Sequence, residues 1–169
     1  MSDDEALLQD LLDQEKRFVF DRFDNDMAIA LGTKIIARAR QDGLAVAVDV
    51  SRGEQRLFYA ALAGTSADNE FWVAGKNAVV RRFGHSSFYV GQRARVRGVD
   101  FATSQLVDGR DFRAHGGAFP IIVRGVGVVG TATVSGLPQA EDHKLVVTVI
   151  EEFLAELGTG EARAEVWTA

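Results

Sequence analysis

Residues 118–143 read AFPIIVRGVGVVGTATVSGLPQAEDH, two strand patterns and a helix start in one run. AFPIIV (118–123) is an apolar run with a proline that suits an edge or entry position of a strand. VGVVGTATV (126–134) sets Val128, Gly130, Ala132 and Val134 against Val129, Thr131 and Thr133, the period of two expected of a strand. Arg124-Gly125 is the turn between them. Ser135-Gly136 then breaks the pattern, and Pro138, Glu141 and Asp142 have the chemistry of a helix start. The stretch therefore predicts a hairpin followed by a helix to about Leu157.

Working outward, LAVAVDV (44–50), the turn SRGE and QRLFYAAL (55–62) form a second predicted hairpin. Helices are predicted over 2–20, with Ser2 and Glu5 at capping-box spacing, and from about Asn25 to Asp42. The second buries Ala28, Leu31, Ile35 and Ala39 along one side. SADNEFWVAGKNAVVRRFG is a third helix ending at Gly84. HSSFYVGQRARV is a short fourth, capped by Ser86 or Ser87. Residues 97–114 are read as a strand with a turn at Asp108-Gly109. Strands that arrive in pairs joined by short turns give a mainly antiparallel sheet, so the fold class is α+β with helices packed on the sheet faces. The organisation is an N-terminal helical extension (1–20), one domain (21–157) and a polar tail (158–169).

Composition narrows the function. The chain has 169 residues, a net charge of −5, 47% hydrophobic residues and no cysteine. Thiolate nucleophiles, disulfides, zinc–cysteine sites and iron–sulfur clusters are excluded. The acidic balance argues against nucleic acid. The acidic N-terminus and the lack of a long apolar run predict a cytoplasmic protein with no membrane contact. Gly125 to Gly130 fits G-x-G-x-x-G, but lies between and within two strands, the wrong context for a dinucleotide. With three scattered histidines, no metal site is predicted.

GKNAVVRRFGHSS (75–87), HGGAFPI (115–121) and GVVGTATVSGLPQAEDHKLV (127–146) resemble the uncharacterised intracellular branch of the GlcG/HbpS-like superfamily, the haem-degrading domain family. RFDNDMAIALGTKI and LAVAVDV fit the same branch. The resemblance implies a profilin-like sandwich and homo-oligomers with a dimer as building block. It implies haem or a small molecule as a ligand for some members.

The candidate ligand-binding residues are Lys76, His85, Ser86, Gly116, Gly117, Ser135, Gly136 and His143. His143 is either a partly buried structural histidine or a base, donor or iron ligand beside a helix start. Lys76 either covers its helix face or points into a cleft toward a carboxylate or a haem propionate. His85 and Ser86 form either a turn and cap or a ligand-presenting loop. Gly116-Gly117 is a tight turn or a pocket wall, and in this reading it lies at the opposite end of the hairpin from the 135–143 turn. Pro138, Glu141 and Asp142 are assigned to helix initiation alone. The leucine edge (Leu7, Leu8, Leu11, Leu12) and Trp167 are read as contacts either to the chain's own body or to a neighbouring subunit. Two other functions stay open: a non-enzymatic scaffold for a protein partner, and an enzyme acting on a small carboxylate.

Overall fold

The computed structural model describes residues 1–159. Trp167 and the predicted polar tail beyond 159 lie outside the described residues. The elements run α1 (Asp3–Arg17), β1 (Val19–Phe20), α2 (Asn25–Gln41), β2 (Ala47–Arg52), β3 (Gln55–Ala61), α3 (Ala67–Phe83), α4 (Ser87–Val96), α5 (Phe101–Gln105), β4 (Ala118–Val123), β5 (Gly127–Ser135) and α6 (Gln139–Thr159). They form an α+β fold around one five-stranded sheet, ordered β1-β4-β5-β2-β3. Its three long pairings are antiparallel. Two-residue β1 adds a parallel pairing to β4, which residue periodicity is too short to announce.

The caps follow side-chain chemistry. Asp24 accepts from the Met27 N–H, Ser86 Oγ from the Tyr89 N–H, and Ser2 with Glu5 closes a reciprocal pair of bonds. Gly84 ends α3 in the left-handed conformation. One prediction fails: residues 97–114 contain no strand but turns and the short helix α5, capped by Asp100 on the Thr103 N–H. This segment joins no strand of the sheet, so its backbone groups bond mainly within local turns, with the Arg113 N–H donating to the Gly75 carbonyl of α3.

The two sheet faces differ in chemistry. Val48, Val50, Phe119, Ile121, Ala132 and Val134 face the main core beneath α2 and α6. The opposite face, beneath α3, is polar: Asp49, Ser51, Thr131, Thr133 and Ser135 are all buried there. Asp49 accepts bonds from Ser51, Asn77 and Arg56, and Thr133 Oγ1 donates to Asn77 Oδ1 at 2.5 Å. The Asp49–Asn77–Thr133 network keeps its polar groups bonded and fixes α3 over the sheet, while the buried Thr131 hydroxyl has no partner among the described residues.

The leucine edge of α1 packs on the chain itself. Leu11 is 1% exposed in a second, smaller apolar cluster with Val79, Phe88, Tyr89 and Val90, and Leu7, Leu8 and Leu12 pack around it.

Candidate functional site

Antiparallel pairing of β4 with β5 sets Ala118 opposite Thr133, and the Val134 N–H donates to the Gly117 carbonyl at 3.0 Å. The loop before β4 and the turn after β5 are therefore neighbours. This corrects the expectation that they lie at opposite ends: in an antiparallel hairpin the first residues of one strand meet the last of the other. Close approach needs the glycines. A β-carbon on Gly117, whose φ is +140°, would sit 2.2 Å from the Val134 oxygen and 2.6 Å from Lys76 Nζ. One on Gly116 would sit 2.2 Å from the Gln139 oxygen.

α3 crosses this corner and delivers Lys76. Its side chain is 3% exposed, and Nζ donates to Asp142 Oδ2 and to the Val134 carbonyl, each at 3.0 Å. Asp142, 2% exposed, also accepts from the N–H groups of Leu137 (Oδ1, 2.9 Å) and Gly136 (Oδ2, 3.3 Å). Asp142 thus does more than start α6, the role composition suggested: it ties α6, the strand-end turn and α3 together. Burial pushes the Lys76 ammonium below and the Asp142 carboxyl above their ordinary ranges, while mutual attraction opposes both shifts. The net displacement of each is toward its uncharged form.

The pair lies in the wall of a cleft of about 290 Å³, which Ser135, Gly136, Asn69, Trp72, His115 and Gln139 also line. Asn69 Nδ2 reaches Ser135 Oγ at 3.3 Å. The His115 ring stands edge-on to Trp72, with centroids 5.1 Å apart, and the Arg113 guanidinium lies 4.2 Å from the Trp72 ring centroid. Partial burial lowers the His115 pKa, and the charges of Lys76 and Arg113 lower it further, so the imidazole is neutral at neutral pH. It is nevertheless exposed. Trp72, His115 and Gln139 also line a larger neighbouring cleft of about 600 Å³, whose walls include Phe101, Phe112, Val99, Arg95 and Arg113.

The remaining candidates lie elsewhere. His143 is 4% exposed, between Phe88 and Phe119. Its Nε2 is 2.8 Å from Gln14 Oε1 of α1, so that nitrogen carries the proton and buried Nδ1 is left without a partner. Burial pulls its pKa down to about 4. His85 Nδ1 is 2.7 Å from Glu15 Oε2, and Glu15 Oε1 accepts the Ser86 N–H at 2.8 Å. Of the residues read from sequence, the structure brings together Lys76, Gly117, Ser135 and Gly136, with Gly116 alongside. His85, Ser86 and His143 are held instead by α1. Sequence reasoning left out Asp142, Asn69, Trp72 and the imidazole of His115 as cleft residues, and Gln14 and Glu15 as partners. The antiparallel hairpin itself was the available signal for His115 and Asp142.

Among the described residues no group of three or more histidines and carboxylates could hold a metal ion, and no helix is long and apolar enough to cross a membrane. An UPF0303 protein of Streptomyces coelicolor is 50% identical over 147 residues, 87% of this chain and 93% of that one. The crystal structure of Ybr137w protein superposes with a TM-score of 0.81 at 34% identity, covering 88% of each chain. That of a PduOC:heme complex superposes at 0.62 with 16% identity, covering 78% of this chain and 94% of the other, a likeness of fold. The model described as haem degrading protein HbpS-like matches residues 23–151, so the chain belongs to the HbpS-like family.

Proposed function

We propose that this protein binds a small molecule in the cleft at the β4–β5 sheet end, between Trp72, His115 and the Lys76–Asp142 pair. The observation that carries the reading is the convergence of a buried ion pair and a neutral, accessible imidazole on one concavity.

Haem is the first ligand to test, since the family model bears its name and a solved neighbour is a haem complex. The residues fit it. His115 is exposed and neutral, with the lone pair an iron ligand needs, and the adjoining cleft offers Phe101, Phe112 and Val99 to a flat apolar ring. Arg113 and Arg95 stand in its walls, where they would meet carboxylates. Bound there, haem would supply an iron centre for binding or oxidising small molecules. His143 fits less well, because Gln14 covers its ring and Phe88 and Phe119 flank it.

Titration with hemin tests this, followed by the Soret band and by Trp72 emission in a Trp167→Phe background. The expected result is saturable binding that His115→Ala weakens and His85→Ala does not. Saturable binding unaffected by His115→Ala would move the site elsewhere.

Self-association belongs to the same reading. Among the described residues β3 is an edge strand with no partner on its outer side, and Phe71, 66% exposed, follows Glu70, which pairs with Arg56 of that strand. Sedimentation of the Phe71→Glu protein should show a smaller species than the parent.

A further inference from the structure

Lys76 differs from the other three lysines. Lys16 is 71% exposed, Lys34 pairs with Glu156 near the surface, and Lys144 is exposed. Lys76 alone is an amine nearly stripped of water that still borders a cleft. Two of its three N–H directions are used, by Asp142 and the Val134 carbonyl. Gly117 keeps the space beside Nζ free of a side chain.

A buried ion pair is an expensive way to join two helices. Apolar residues of similar volume do the same for less, because each buried ion gives up its hydration. Asp142 is held as a counter-ion by two backbone N–H groups as well as by Lys76. Those are the parts of a carbonyl-capturing site: an amine, an acid in contact with it, and a water-poor wall.

We propose that Lys76 condenses with an aldehyde or unhindered ketone bound in this cleft, forming an imine with Asp142 as its acid–base partner. The inference rests on the reading that the cleft holds a ligand. The ammonium first passes one proton to the Asp142 carboxylate, which frees the nitrogen lone pair. Nitrogen attacks the carbonyl carbon, a C–N bond forms, and the carbonyl π electrons move to oxygen. A proton passes from nitrogen to that oxygen, giving a carbinolamine. Asp142 returns its proton to the hydroxyl, the C–O bond breaks and water leaves. The product is a protonated imine facing the Asp142 carboxylate. One carbonyl compound and one ammonium give one iminium and one water, with no redox partner. The charge of the buried pair is the same before and after, so the step demands no new buried charge. Trp72 and the aromatic wall of the adjoining cleft favour a carbonyl group on an aromatic or apolar body.

The test is reductive trapping of the full-length protein with benzaldehyde and cyanoborohydride at neutral pH, followed by peptide mapping. Label should concentrate on Lys76 over Lys16 and Lys144 by about tenfold or more, because only Lys76 borders the cleft that gathers the aldehyde. It should saturate with benzaldehyde and vanish in Lys76→Arg, which keeps a cation for Asp142. Benzyl alcohol, with the same ring and no carbonyl, should quench Trp72 in the Trp167→Phe background and protect Lys76. Label distributed by exposure, with Lys76 least modified, overturns the inference. If benzyl alcohol still quenches Trp72 saturably in that case, the ligand-binding reading stands alone. If neither trapping nor quenching occurs, both fail.

Discussion

Lys76 Nζ and Asp142 Oδ2 are 3.0 Å apart in a setting that leaves 3% and 2% of their side chains exposed. Removing either partner leaves the other charge buried and unpaired. Asp142→Asn should therefore destabilise the fold by about 3–5 kcal/mol, and a paired Lys76→Met, Asp142→Leu change should regain most of it. Urea denaturation of the two singles and the double gives the coupling.

Gly117 carries a different burden. At φ +140° an alanine is strained, and its methyl group would meet the Val134 oxygen and Lys76 Nζ. Gly117→Ala should cost about 1–3 kcal/mol in backbone strain alone. It should also displace the Lys76 side chain, so benzaldehyde trapping at Lys76 should fall even where thermal melts show a folded protein.

His143 makes the protein acid-sensitive. Its folded pKa, about 4, lies below the ordinary 6.5. As pH falls below 6.5 the unfolded chain takes the proton first, so stability present at pH 7 is lost progressively down to pH 4. The loss approaches about 3 kcal/mol at 1.4 kcal/mol per unit. Denaturant midpoints at pH 7 and 4.5 should differ in the parent and converge in His143→Leu. In NMR spectra the His143 ring should not titrate above pH 5.5.

Leu11 anchors α1 to the domain. Leu11→Ala should cost about 2–5 kcal/mol, the range for a buried leucine. Because Gln14 and Glu15 ride on the same helix, hydrogen exchange at α1 and solvent access to His143 should rise together.

Much of the fold was legible because its signals are local. Asp24, Ser86 and Gly84 bound their helices with their own side chains or backbone freedom. Ala28, Leu31, Ile35 and Ala39 were identifiable as one buried face from helical spacing alone, and all are 0% exposed. The alternation in β5 separated Thr131 and Thr133 from Ala132 and Val134, although which face would be polar was not stated by any local feature. Residues 97–114 misled because their apolar residues have neither clear period, and β1 needed β4 beside it to exist. The site was half legible. Lys76, Gly117, Ser135 and Gly136 stood out as residue types, but the sequence offered no way to group them apart from His85 and His143.

The α+β class, the two hairpins, the caps and the family follow from local sequence, since each rests on neighbours in the chain or on long ordered motifs. The partners of the buried polar groups come from packing. Lys76 met Asp142, His115 met Trp72, and His143 was closed off by Gln14, in each case across separations of 43 to 129 residues. Such pairs depend on how α1, α3 and α6 pack on one end of an antiparallel sheet. Burial, which displaces the pKa values of Lys76, Asp142 and His143, exists only once that packing has excluded water.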